Sequence, residues 1–209
     1  MEDDYFSIDS ILADNQKIQC IFSKKIPDLG HLWGGSERDI AAQGKYQIPI
    51  WMAYIVVYSD WADFNIPTPF GNRVRNALNA EPRSVRLSSL VGAGGLWYGF
   101  GKTIMDMYVP IYLACLCSHP FASRLSDEQA NEMSQMLTKT FRERLVEVID
   151  QAQHFAALGP AGGGGGSTGD TAQAFREGLD GTERELFVLA QESAKRTKKW
   201  YEDNDKGRR

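Results

Sequence analysis

The sequence holds few of the residues that build metal, disulfide or nucleophile chemistry. It has three cysteines (Cys20, Cys115 and Cys117) and three histidines in 209 residues. An odd, sparse cysteine count does not make a secreted disulfide framework and points to a reducing compartment. Cys115-Leu116-Cys117-Ser118-His119 gathers three metal-capable side chains. A structural zinc needs a fourth ligand, and His31 and His154 stand alone, so no metal is expected. The same scarcity leaves no Cys–His nucleophile pair, and no serine nucleophile elbow occurs. Charge of one sign is not in excess: 23 Lys/Arg face 27 Asp/Glu, a net of −4. That balance gives no support for a dedicated reader of the phosphate backbone. Long hydrophobic runs are also missing. The longest uncharged stretch, 107–123, is broken by Pro110, His119 and Pro120 and falls short of the ~20 apolar residues of a membrane span. The start, Met1-Glu2-Asp3-Asp4, lacks the basic region of a secretory signal and the arginines of a transit peptide, so neither is expected. No internal repeat is found.

Glycine is plentiful, but not in nucleotide-binding order. Val91-Gly92-Ala93-Gly94-Gly95 begins like a dinucleotide fingerprint, yet the third required glycine position is Trp97, whose indole would block close helix–strand packing. Counting from Gly99 the position is Ile104. Gly162 to Gly166 precede Ser167-Thr168 without the lysine a phosphate loop needs. No cofactor and no catalytic residue are therefore assigned. Glu143 and Glu147 read as solvated-face carboxylates.

At ~150 residues per domain the length suggests one domain plus an appendage. With 43% apolar and 24% charged residues the composition is that of a globular chain, long enough to bury roughly 70% of its unfolded surface. Residues 1–48 read as a small β-rich domain. Tyr5-Phe6-Ser7-Ile8 has strand character, and Asp9-Ser10-Ile11-Leu12 looks like a capped helical turn. Lys17 to Phe22 alternates, with Ile18, Cys20 and Phe22 on one face. Tyr46-Gln47-Ile48 reads as the last strand. Pro27, Gly30, Gly34 and Gly35 punctuate the loop between them.

Residues 49–205 read as a helical domain, followed by a tail at 206–209. Pro49 suits a first helical turn. The segment behind it, Ile50 to Tyr58 with Trp61 and Phe64 beyond, is apolar on every side, so something must cover every side. Either a central core position or a partner subunit would do so. Arg73 to Asn79 predicts another helix, ended near Glu81-Pro82. Ser126-Asp127-Glu128-Gln129 is a capping box. Behind it Met133, Met136, Leu137, Phe141, Leu145, Val148, Ala152 and Phe155 recur at helical spacing over about 30 residues, roughly 45 Å. Residues 159–169 form a Gly-rich linker. Asp170 caps a further helix with a stripe of Phe175, Leu179, Leu186 and Ala190. Thr182-Glu183-Arg184-Glu185 is a second capping box, with a break near Gly178 or Gly181.

Five ordered motifs then carry a resemblance. They are Tyr5-Phe6-Ser7-Ile8-Asp9-Ser10-Ile11-Leu12; Ile48-Pro49-Ile50-Trp51-Met52-Ala53; Ala80-Glu81-Pro82-Arg83-Ser84-Val85-Arg86-Leu87; Leu96-Trp97-Tyr98-Gly99-Phe100-Gly101; and Leu179-Asp180-Gly181-Thr182-Glu183-Arg184-Glu185-Leu186-Phe187. Over nearly the whole chain it resembles the third family of "partner of Sld-five" subunits of the eukaryotic GINS replication complex. The resemblance implies a mainly α fold with a small β-rich N-terminal domain (α+β), a GINS-like two-domain architecture with a helical bundle. It implies a nuclear, non-catalytic structural subunit of a heterotetramer with three sister GINS subunits. That tetramer joins the Mcm ring and the Cdc forty-five protein in the helicase that supports initiation and elongation of DNA replication. Direct DNA contact is expected to be weak.

Aromatic anchors release the most surface from water per ordered side chain. The expected interface residues are therefore Trp51, Tyr54, Tyr58 and Trp61 in the first helix, followed by Phe141, Leu145, Leu186 and Phe187. Tyr5, Phe6, Ile8, Ile11 and Leu12 are expected to dock on the helical domain or on another subunit. Residues 107–125 depart from the family pattern and read as an insertion. A translated, unspliced intron would account for it, since Met-Tyr-Val can be encoded across a GTATGT-type donor; a lineage-specific loop is the alternative. Two rival functions stand beside the scaffold: a small enzyme with a cleft around Gly92 to Gly101, and an unrelated helical adaptor that binds nucleic acid through its basic tail, residues 195–209. Interleaved acids in that tail favour a solvated segment or an acidic protein partner over nucleic acid.

Overall fold

The computed structural model describes residues 7–33, 37–92, 95–108, 127–158 and 167–206. Seven α-helices and three strands occur among them: α1 (Ile8–Asp14), β1 (Lys17–Phe22), β2 (Lys45–Pro49), α2 (Ile50–Tyr58), β3 (Ala62–Phe64), α3 (Asn72–Ala80), α4 (Trp97–Tyr108), α5 (Asp127–Leu158), α6 (Ser167–Glu177) and α7 (Gly181–Lys206). The fold is mainly α with one small antiparallel sheet near the N-terminus. Two compact units divide the chain: Met1–Val74 with Gly99–Ser134, and Arg75–Tyr98 with Gln135–Arg209. No described helix is long and apolar enough to cross a membrane.

The first unit is built on β1, the centre of a sheet ordered β2-β1-β3. Ile18 pairs with Ile48, and Cys20 with both Tyr46 and Phe64. The alternation seen in the sequence holds: Ile18, Cys20 and Phe22 are buried. A one-residue slip would place Lys17, Gln19 and Ile21 there instead. Phe22 and Tyr46 meet edge to face at 5.7 Å, a favourable ring geometry. Burial, helped by the Asp63 carboxylate, pushes the Cys20 thiol up to about 12, so it stays an inert core group. Phe70 packs on Phe100 at 5.5 Å.

Two expectations in this unit are corrected. Ile8 opens α1 rather than extending a strand, because the Ser7 carbonyl accepts the Ile11 N–H and closes the first helical turn. Tyr5 and Phe6 lie outside the described residues. Tyr46 to Ile48 is not the last strand either. Helix α2 stops at Tyr58, where Ser59, Asp60 and Trp61 donate back to the carbonyls of Ile55, Val57 and Val56. Asp60 takes a left-handed φ of 60°, which reverses the chain. Phe64 is thus buried in β3 and Trp61 sits in the turn, not in the helix. The free edge of β1 decided this, by offering the backbone of 62–64 a ladder.

In the second unit Val148, Phe175 and Leu179 form a buried cluster, with Leu186 and Phe187 packed against it. Helix α5 is 32 residues long, about 48 Å. Its predicted stripe is largely right: Met133, Met136, Val148 and Ala152 are buried, while Phe155 lies outside the described side chains. Helix α6 begins at Ser167, so residues 167–169 of the expected linker are helical and Asp170 lies inside the helix instead of capping it. Residues 159–166 are outside the described set. So is the expected insertion at 107–125, apart from Met107 and Tyr108 at the end of α4.

Candidate interaction surfaces

Helix α2 carries two faces. Ile50, Ala53 and Val57 are buried in the first unit. These three recur at helical spacing and account for one side only. On the other side Trp51 is 51% exposed, Tyr54 42%, Ile55 58% and Tyr58 63%, with Trp61 at 44% in the turn beyond. Tyr54 and Tyr58, one turn apart, stack with 9° between their planes and 6.4 Å between centroids. This is an ordered aromatic ridge. Covering the exposed half of each such side chain would contribute about 1 kcal/mol. Clustered exposure of this kind marks a binding surface more often than scattered exposure does. All four predicted α2-region anchors therefore stand together on the open side.

The predicted N-terminal docking residues are also open where they are described: Ile8 is 72% exposed, Ile11 55% and Leu12 38%. The second group of predicted anchors differs. Phe141 is half-buried, edge to face with Tyr98 at 5.5 Å. Leu145, Leu186 and Phe187 are half-buried as well, the last two against the core of their own unit. The more exposed aliphatic residues of α5 and α7 are Val146, Ile149, Val188 and Leu189, which sequence reading did not single out. Each lies one or two positions from a stripe residue, and the width of a helical stripe hides that offset.

The Gly-rich segment and the capping motif meet in a closed polar hub of the second unit. Arg144, fully buried, donates through Nε and Nη2 to the two carboxylate oxygens of Glu183, at 2.7 and 2.8 Å. Its Nη1 donates to the carbonyls of Pro82 and Val85, at 2.7 and 3.0 Å. The guanidinium lies 4.8 Å over the Phe175 ring. Such a bidentate, fully satisfied pair is the geometry in which a buried charge is tolerable. The Tyr98 hydroxyl donates to Glu183 at 2.9 Å, and burial together with that carboxylate holds the phenol well above its ordinary range.

Asp180 joins two helix starts. One carboxylate oxygen accepts the Trp97 N–H at the beginning of α4, and the other accepts the Thr182 N–H in α7. The Asp180 N–H donates in turn to Glu183 at 3.1 Å. The reciprocal box is thus Asp180-Gly181-Thr182-Glu183, two residues earlier than the one read from the sequence. Gly95 completes the hub. It has φ +60°, and its carbonyl accepts the Gly181 N–H. A Cβ there would meet Ser88 Cα at 3.0 Å.

This arrangement bears on the enzyme alternative. It does contain perturbed groups beside Gly95: burial pushes the Asp180 carboxyl up to about 6, against the two N–H donors that pull it down. But Arg144, Asp180 and Glu183 are each at most 1% exposed, and their hydrogen bonds are spent on one another, on the Tyr98 hydroxyl and on backbone. The geometry holds helices together. Glu143 is exposed as expected, whereas Glu147 is partly covered and paired with Arg83 at 2.9 Å. Among the described residues no His, Cys, Asp and Glu cluster could hold a metal ion; Cys115, Cys117 and His119 lie outside them.

Comparison with known proteins matches residues 6–58 to the PSF3 N-terminal domain and residues 70–202 to the GINS complex protein helical bundle domain. The DNA replication complex GINS protein psf3 of Aspergillus fumigatus is 31% identical over 202 residues, covering 94% of this chain and 95% of the relative. The chain belongs to the Psf3 family of GINS proteins. The Phaeosphaeria nodorum relative of the same name is 30% identical over 205 residues, 95% of this chain and 96% of its own length. The Schizosaccharomyces pombe relative is 27% identical over 197 residues, 94% and 96%. Within this Psf3 family member, the α2 ridge lies inside the first matched domain and the Arg144 hub inside the second.

Proposed function

We propose that this Psf3-family chain is a non-catalytic structural subunit of a nuclear GINS heterotetramer, working through that complex with the Mcm ring and the Cdc forty-five protein in DNA replication. The observation that carries this reading is the α2 ridge. Trp51, Tyr54, Ile55, Tyr58 and Trp61 are exposed, while Ile50, Ala53 and Val57 on the opposite face of α2 are buried in the first unit. Three sister subunits are the natural cover, and no cofactor enters the scheme. The closed Arg144 hub agrees with this, since its polar groups serve registry between helices.

Co-expression of the chain with candidate sister subunits, followed by co-purification and native mass determination, tests the reading. A stoichiometric heterotetramer is expected. In a second arm Trp51→Ala with Tyr58→Ala is expected to lose the complex while the circular dichroism spectrum is retained. Truncating a central aromatic anchor costs about 2 kcal/mol or more, so the pair should weaken assembly by roughly a thousandfold. A monodisperse monomer that ignores the sister subunits would overturn the proposal. A tetramer indifferent to both substitutions would remove the ridge from the interface.

A further inference from the structure

Charge is segregated at the far end of α7. Residues 195–209 hold seven Lys/Arg against three Asp/Glu, in a chain whose total is −4. The helix continues to Lys206, so most of these groups stand on a fixed scaffold and not on a loose tail. At about 100° per residue, Lys195, Lys199, Arg196 and Trp200 follow one another around one side of that helix. Arg196 is engaged by Glu192 at 3.6 Å in a solvent-exposed pair, which holds it only weakly. Among the described residues Lys195, Lys198 and Lys199 enter no ion pair. Trp200 and Tyr201 are 61% and 63% exposed, and their rings meet edge to face at 4.9 Å. Tyr201 also walls a groove of about 680 Å³ against α5, floored by Ile149, Ala190 and Ala194 and rimmed by Lys198 and Glu202.

We propose that this end of α7 is a contact site for single-stranded nucleic acid, in which Trp200 and Tyr201 stack on bases while Lys195, Lys198 and Lys199 neutralise the flanking phosphates. The interleaved acids alone favour an acidic protein partner; the exposed Trp200 and Tyr201 side chains tip the balance to a single strand. Glu192 precedes the cationic run, and Glu202, Asp203 and Asp205 break it after Lys199, so it is too short for the long uniform track of a duplex-backbone reader. A short strand gains most of its binding from stacking, about 1–3 kcal/mol per base, and tolerates a brief phosphate track. An acidic peptide would use the lysines but gains little from the exposed Trp200 and Tyr201 side chains.

The test uses the full-length chain in the assembly in which it purifies, with a fluorescein-labelled oligo-dT of ~20 nucleotides read by anisotropy across a salt series. Binding is expected, weakened about 5- to 150-fold by Trp200→Ala at fixed salt, with the slope of log K against log salt unchanged and with Trp200→Phe recovering most of the loss. The combined Lys195→Gln, Lys198→Gln and Lys199→Gln variant is expected to flatten that slope by about 2. All these positions are surface ones, and unchanged circular dichroism verifies the fold. Failure of the wild type to bind oligo-dT at low salt overturns the proposal, as does binding indifferent to Trp200→Ala or a preference for duplex. Displacement by a poly-glutamate peptide whose own affinity ignores Trp200→Ala would assign the surface to an acidic protein instead.

Discussion

Replacing Arg144 by methionine should be among the most damaging single changes in the second unit. The substitution keeps much of the stem's volume and removes only the guanidinium. It leaves the Glu183 carboxylate in the interior with the Tyr98 hydroxyl and the Asp180 N–H as its remaining donors, and deprives the Pro82 and Val85 carbonyls of theirs. An uncompensated buried charge costs about 3–5 kcal/mol, and each orphaned carbonyl about 1 kcal/mol more unless water reaches it. The terms do not simply add, so about 5 kcal/mol is the working figure. At roughly 2–4 °C per kcal/mol for a chain of this size, Tm should fall by about 10–20 °C. The assay is thermal unfolding by circular dichroism, wild type and variant in the same assembly at the same concentration, because association shifts apparent stability. Combining Arg144→Met with Glu183→Gln should cost less than the two separately, with a coupling of about 2 kcal/mol. A fall below ~2 °C for Arg144→Met, or strict additivity in the double variant, would refute the argument that this pair holds α5, α7 and the 82–85 segment in register.

Gly95→Ala should destabilise by about 1–2 kcal/mol, since alanine at φ +60° is strained and its Cβ would press on Ser88 Cα; chemical denaturation measures it, and a neutral result would place no demand on the turn. The Asp180 carboxyl, 3.8 when unfolded and about 6 when folded, binds its proton more tightly in the native state. Its contribution is therefore full below pH ~4 and lost as pH rises to ~6, up to about 3 kcal/mol. Stability of Asp180→Asn relative to wild type should rise across that window, and parallel pH profiles would contradict this. Arg83→Ala, which removes a half-exposed pair with Glu147, should cost less than ~1 kcal/mol; a larger loss on melting would mean the pair is more shielded than its exposure indicates.

Parts of the molecule could be read residue by residue before folding. The faces of β1 and α5 follow from alternation and from 3.6-residue spacing, and both are local properties of the chain. Helix α4 was harder, because Gly99 and Gly101 oppose a helix locally while Phe100 and Ile104 are buried within it. Arg144 was not singled out by the sequence. It falls three residues after Phe141 and four before Val148, on the apolar stripe, yet an isolated helix would point a guanidinium into water. The aromatic ridge was legible as excess apolarity, but the sequence could not say which half of α2 the chain would cover.

The sequence by itself settled the mainly helical class, the buried face of β1 and the family, because these depend on patterns between near neighbours or on the order of short motifs. Tertiary structure decided the rest. Asp180 caps α4 and α7 while Glu183 pairs with Arg144, and β3 occupies the second edge of β1. Both depend on backbone groups distant in sequence, whose unmet hydrogen bonds become costly only once folding takes them out of water.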